Sequence, residues 1–337
     1  MMRCRSFILL SLALLLAGCA ARATPGLSPS GASPSSALVA TIPVGTAPTF
    51  LAIAPDGRHL YAASNATLSV IDTAANREVV RLNTNSNSTS IGIAPDGSRV
   101  YIANLFSITL TVVDTATNSL TSSITMFAQR RRGGFGFMAL APDGRTLYVA
   151  NRSNRVFGIV PLPGGGGRAL RPSVAPADVA ISSDGGTAYT VGCKAICTPG
   201  FLNFFDTATQ RFGDEIAVGG NPLRIVLSPD GSRAYVANLT GPSISVVDLA
   251  GRRVAATFPV PAQPTGLAVA PDGRTLYVAS QTEGQLTALD ADSGATRGQL
   301  AAPRARDVSV SPDGRHVYVS TANAVLVVDA QTLRRGE

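Results

Sequence analysis

The chain has 337 residues, 45% of them apolar and 15% charged, with 33 Gly, 22 Pro and no Trp. It is long enough to bury a sizeable core, and its turn-rich composition speaks for an all-β chain and against a helical one. The formal net charge of +7 rests almost wholly on Arg, Lys194 being the only Lys; codon bias in a GC-rich genome produces the same skew, so the positions of the charges inform more than their total.

Arg3 and Arg5 precede an apolar run, Phe7 to Leu16. The run is half the roughly 20 residues that span a bilayer, and it has the charged-then-apolar layout of a secretory signal. It ends in Leu16-Ala17-Gly18-Cys19, which is similar to the bacterial lipobox. That resemblance implies a signal peptide over residues 1–18, cleavage before Cys19, lipid on the sulfur and amine of Cys19, and a cell-envelope address. Ala20 after the Cys implies the outer membrane, facing periplasm or surface, if the host is Gram-negative. An ordinary signal peptide with a chance Cys is the alternative. Residues 19–36, rich in Pro, Ser and Ala, are expected to form a flexible tether between lipid and domain.

From residue 37 onward the sequence repeats. Pro-Asp-Gly recurs at Pro55, Pro95, Pro142, Pro229, Pro271 and Pro312, and Ser183-Asp184-Gly185 fills the one gap. Six residues after each comes a Tyr: Tyr61, Tyr101, Tyr148, Tyr189, Tyr235, Tyr277 and Tyr318, which are all the tyrosines in the chain. Spacings of 40 to 47 residues between copies fall in the range of propellers and solenoids.

Each unit parses into four short strands. The first precedes the Pro-Asp-Gly turn and alternates large apolar residues (Leu51 and Ile53, Ile91 and Ile93) with small ones (Ala52, Gly92). The large residues are expected to wedge between sheets and the small ones to line a central channel. In the turn, Asp bonds local backbone and Gly takes positive φ. The second strand carries the Tyr, the third ends in Asp (Asp72, Asp114, Asp206, Asp248, Asp290, Asp329), and the fourth lies outermost. These repeated aspartates read as turn formers, not as a catalytic array. The last unit stops after its third strand, while Ala37 to Val44 reads as an orphan fourth strand, so the N-terminal strand is expected to complete the last sheet and remove an open edge.

With Tyr148-Val149-Ala150-Asn151, Tyr235-Val236-Ala237-Asn238 and Asp114-Thr115-Ala116-Thr117-Asn118 in view, residues 37–337 resemble the YVTN family of seven-bladed β-propellers. The resemblance implies an all-β, seven-bladed disc of four-stranded blades, an extracytoplasmic location and a binding role; it fixes no activity.

In such a disc the monotonous turns share one face, and the divergent second-to-third and fourth-to-first loops share the other, where function usually sits. The divergent face is also the basic one, with Arg130, Arg131, Arg132, Arg152, Arg155, Lys194, Arg224, Arg304 and Arg306 against Asp178, Glu283 and Asp307. The Arg130–Arg132 run lies among Phe and Gly in residues 127–137; with Arg152 and Arg155 it is a candidate grip for a polyanion or nucleic acid, a solvated loop being the plainer alternative. The fifth residue before each turn Pro forms a ring at the channel mouth: Phe50, Ser90, Phe137, Asp178, Arg224, Gly266 and Asp307. The six with side chains are candidate ligand contacts, with Asp178 and Arg224 orienting a polar group; a salt-bridged channel end is the plainer alternative.

Cys193 and Cys197 are expected to form a disulfide outside the cytoplasm. No His follows Cys197, so the haem-attachment pattern is absent, and zinc would need further ligands. His59 and His316 occupy one repeat position on the uniform face, and Gly164–Gly167 lacks the Lys-Ser/Thr of a phosphate loop. No cofactor or metal is expected. The sequence reads as a monomeric, non-enzymatic envelope propeller that binds a protein or anionic ligand on its variable face. A lactonase-like hydrolase and an envelope nucleic-acid or polyanion binder are the alternatives.

Overall fold

The computed structural model describes residues 37–45, 47–84, 88–104, 109–127, 136–260 and 263–335. The signal segment, Cys19, the tether and Arg130, Arg131 and Arg132 lie outside them. The described residues form seven four-stranded antiparallel sheets, the blades of a β-propeller. Blade 1 shows the pattern: Phe50–Ile53, His59–Ala63, Thr67–Asp72 and Arg77–Asn83, paired in chain order from the centre outward. The ring closes as expected, because Leu38–Pro43 pairs with Ala324–Asp329, with Ile42 opposite Val325, to become the outer strand of blade 7.

The Tyr explains the alternation of the first strand. In six blades it lies directly across from a small residue, as Tyr61 opposite Ala52, Tyr101 opposite Gly92 and Tyr148 opposite Ala139, and likewise at Tyr189, Tyr277 and Tyr318, while Tyr235 lies opposite Val226. Tyr and small residue therefore share a face, and against that face packs the large pair of the next blade. Tyr61 clusters with Ile91 and Ile93, Tyr101 with Met138 and Leu140, and Tyr318 with Leu51 and Ile53 across the closure. A Cβ on Gly92 would come within 2.6 Å of Leu140. The small residues thus serve as sockets for the neighbouring blade, and do not simply line the channel as their size suggested.

The Pro-Asp-Gly turn is a second seam between blades. Its Gly takes φ near +70°, and a Cβ there would touch the turn Pro of the preceding blade: Gly97 meets Pro55 at 3.6 Å, Gly144 meets Pro95 at 3.4 Å, and Gly57 meets Pro312 at 3.4 Å across the closure. Only at Ser183, where Pro is missing, does the facing Gly231 meet nothing within 4 Å. Each turn Asp accepts a hydrogen bond from the N–H two residues on, as Asp143 does from Arg145 at 2.9 Å, the Asx geometry expected from the sequence. The aspartates ending the third strands accept N–H groups of the adjoining turn, as Asp114 does from Thr117.

Two segments depart from the repeat. After its third strand the last unit makes a short helix, Ala330–Arg335, an element foreign to the four-strand pattern. Asp329, which would open a turn elsewhere, caps it by accepting from Thr332 N at 2.7 Å, and Leu333 is buried against blade 6, where only Gly298 gives it room. The Gly164–Gly167 run hooks blade 3 to blade 2 through Gly166 N to Thr125 O and Gly167 N to Met126 O; a Cβ at Gly165 would sit 2.5 Å from the Thr125 carbonyl.

Candidate ligand site at the channel mouth

The seven ring residues converge, and most of their polarity is spent on holding blades together. Asp307 of blade 7 accepts the Leu51 N–H of blade 1 at 2.9 Å. Ser90 of blade 2 accepts the Met138 N–H of blade 3 at 3.2 Å. Asp178 of blade 4 accepts the Ile225 N–H of blade 5 at 3.0 Å and that of Val179 at 2.8 Å. In each pair the acceptor reaches the residue just after a bulky ring member, respectively Phe50, Phe137 and Arg224. Acceptor and bulky residue alternate around the ring, and in a ring of seven the alternation must fail once. It fails at Gly266, where a Cβ would lie 2.8 Å from the Asp307 backbone.

Arg224 ties the ring across its centre. Its Nη2 lies 3.4 Å from Asp307 Oδ1 and its Nε 3.8 Å from Asp178 Oδ2, while the guanidinium stands 4.1 Å over the Phe137 ring. Phe137 in turn meets Phe50 edge-on at 5.6 Å. Burial pushes the Asp178 carboxyl up to about 6 and the neighbouring Asp307 charge adds to the rise, against the pull of Arg224 and two N–H groups; burial raises Asp307 as well. Both carboxylates are thus engaged by backbone N–H groups of the ring and lie beside Arg224.

Above this tie is a cavity of about 200 Å³. Besides Phe50, Phe137, Arg224 and Asp307 it is lined by Thr49, Leu223, Thr265, Gln281 and Arg306. Thr49, Leu223, Thr265 and Arg306 each stand one residue upstream of a ring position. A second ring, read from the sixth residue before each turn Pro, would have found them. Arg306 is its only charged member. Its Nε is buried with no hydrogen-bond partner, and among the described residues no carboxylate pairs with it. A smaller polar space of about 110 Å³ lies at the ring itself, bounded by Ser90, Asp178 and Arg224 among others.

Three of the other basic residues named from the sequence, Arg152, Arg155 and Lys194, are engaged within the chain. Arg152 donates from Nη2 to Asn221 Oδ1 at 2.7 Å and rests on the sulfurs of Cys193 and Cys197, which are bonded to each other. Arg155 donates to the Ser173 carbonyl at 2.9 Å, and Lys194 pairs with Glu215 at 2.6 Å while lying over the Phe201 ring. His59 and His316 sit beside Tyr61 and Tyr318 of their own blades. Among the described residues no three His, Cys, Asp or Glu side chains gather as a metal site.

No protein-family model matches the sequence, and no curated protein matches it. Solved structures do. Kuenenia stuttgartiensis hydrazine synthase is similar with a TM-score of 0.77 at 20% identity, over 84% of this chain and 96% of that one. The Cps50 (Swd1) β-propeller domain of Myceliophteria thermophila is similar with a TM-score of 0.74 at 14% identity, over 87% of this chain and 98% of that one. At such identities the likeness is one of fold, and the fold is a seven-bladed β-propeller.

Proposed function

We propose that this chain is an envelope binding propeller of the YVTN kind, anchored through lipid on Cys19 by the 19–36 tether, that recognises its ligand or partner on the variable face without catalysing a reaction. The observation that carries the reading is the difference between the faces. The uniform face repeats one set of turn bonds seven times, whereas the variable face holds an open cavity at the channel mouth with an unpaired cation in its wall. The two carboxylates at the mouth accept backbone N–H groups and lie beside Arg224, an engagement between blades that supports a binding reading over a hydrolytic one.

Two measurements test it. Labelling of cells with a radioactive fatty acid should mark the protein and fail on Cys19→Ala. Capture from envelope extracts should recover the same partner set with the intact protein and lose it when residues 127–137 are replaced or Arg306 is changed. Partner capture that survives both changes would count against the variable face, and turnover of a lactone panel would count against a purely binding role.

A further inference from the structure

The channel-mouth cavity has a definite chemistry. Its walls are largely apolar, from Phe50, Phe137 and Leu223, and Thr265 is occupied, its hydroxyl donating to the carbonyls of Ala279 at 3.2 Å and Ala305 at 3.3 Å. The acceptors at the rim are occupied too, since Asp307 Oδ2 takes Leu51 N and Oδ1 takes Arg224. What remains unspent is the guanidinium of Arg306, with its buried Nε unpartnered, and the exposed amide of Gln281, which carries both a donor and an acceptor. A largely apolar cavity with an unpaired cation in its wall favours a ligand that brings a negative charge with acceptor atoms, because a charge-assisted hydrogen bond to the guanidinium is stronger than a neutral one.

One cation suits one negative charge. Gripping a phosphate monoester or a polyanion calls for several convergent donors, and Arg152, Arg155 and Lys194 are engaged by Cys193, Cys197, Ser173 and Glu215. Size sets the other limit. A cavity of about 150 Å³ lined by apolar side chains holds a benzene ring, so about 200 Å³ accommodates one ring or a short branched chain together with a carboxylate. The edge-to-face pair of Phe50 and Phe137 presents the kind of surface on which such a body packs.

We infer that the cavity between Phe50, Phe137, Leu223, Gln281 and Arg306 binds a small monocarboxylate with a single-ring or compact apolar body, its carboxylate held by Arg306 and Gln281. The inference rests on the reading that the variable face is the binding face and adds the ligand class. Arg224 acts beneath as the rigid floor, stacked on Phe137 and held by Asp178 and Asp307, so that the aromatic wall is set before a ligand arrives and little side-chain freedom is lost on binding.

The test uses phenylacetate as the probe, with phenylacetamide as its uncharged counterpart and inorganic phosphate as the bare anion, each titrated calorimetrically into the purified protein. Phenylacetate should bind saturably with a Kd at or below about 1 mM, a reasonable value for a ligand of its size. Phenylacetamide should bind at least about tenfold more weakly, as should phenylacetate to Arg306→Gln, while Arg306→Lys retains part of the affinity and Arg145→Gln on the uniform face leaves it unchanged. Because Arg306 makes no ion pair within the described chain, Arg306→Gln should melt as the parent does, so lost binding is not lost folding. No saturation by phenylacetate, equal binding of the amide, tighter binding of phosphate, or an unaffected Arg306→Gln would each overturn the inference. If phenylacetate fails while envelope capture still depends on the variable face, the ligand class falls and the binding-face reading stands; if both fail, both fall.

Discussion

The two faces of the disc use the same residue in opposite ways. On the uniform face aspartates lie in exposed turns and accept N–H groups of their own loop, and some of them are drawn below the ordinary carboxylate range: Ser228 and Ser232 hold Asp230 at about 2, and the Thr117 backbone and hydroxyl lower Asp114. At the channel mouth Asp178 and Asp307 are buried, accept N–H groups of the next blade, and are pushed upward. A local bond in water needs no particular neighbour and so is repeated seven times. A bond between blades at the centre depends on what the next blade presents, so it appears only where a bulky residue alternates with an acceptor. The difference teaches that repetition in this chain marks contacts the blades make alike, within their own turns and at the Tyr and Pro–Gly seams, and that divergence marks places where blades, or a ligand, must be matched individually.

The largest effect that separates the faces should come from Arg224. Replacing it with Leu leaves two buried carboxylates without their shared cation, a loss of about 3–5 kcal/mol measurable by urea unfolding; a change below about 1 kcal/mol would show that the central tie is not structural. Ser90→Ala, which strands the buried Met138 N–H, should lose about 1–3 kcal/mol, more than Asp143→Ala in an exposed turn, at about 1 kcal/mol. The reverse order would break the comparison.

The pH dependence has opposite sign on the two faces. Asp178 has a folded value of about 6, above the ordinary 3.8, so its contribution is greatest below about 4 and is lost as the pH rises through about 6. Asp230, held at about 2, contributes above about 4 and loses that contribution as the pH falls toward about 2. The melting temperature of Asp178→Asn relative to the parent should therefore climb between about pH 4 and 7, the turn aspartates cancelling in the difference. A flat or falling difference would contradict the raised carboxyl. The smallest effect concerns the uniform face alone: Ser183→Pro should restore the one missing Pro–Gly contact, facing Gly231, and stabilise by about 0.4–1 kcal/mol.

The blade repeat, the closure by Ala37–Val44 and the identity of the ring were legible because each is written in residues of fixed spacing: the Tyr, the turn Asp and Gly, the orphan strand. The partners of the ring residues were not, since whether Asp178 faces a ligand or the Ile225 N–H depends on how far blade 5 leans toward blade 4, which no single repeat records. Arg152 shows the same limit. As a basic loop residue it is a natural anion contact, yet the fold turns it onto the Cys193–Cys197 bridge and Asn221. Arg306 belongs to the basic face in the sequence but not to the mouth, because the ring is written at one position and the cavity draws on the next one upstream. The C-terminal helix was hidden because Asp329 looks like every other strand-ending Asp, and the path of the chain beyond it is decided by the groove that Gly298 leaves on blade 6.

The division of labour between the faces can be measured directly by placing a photo-reactive amino acid at single positions in the protein as expressed in its own cells. Positions on the variable face, Gln281 and Arg304, should give discrete cross-linked species on illumination, and positions on the uniform face, Arg58 and Arg274, should give none. Discrete adducts from the uniform face with none from the variable face would contradict the account.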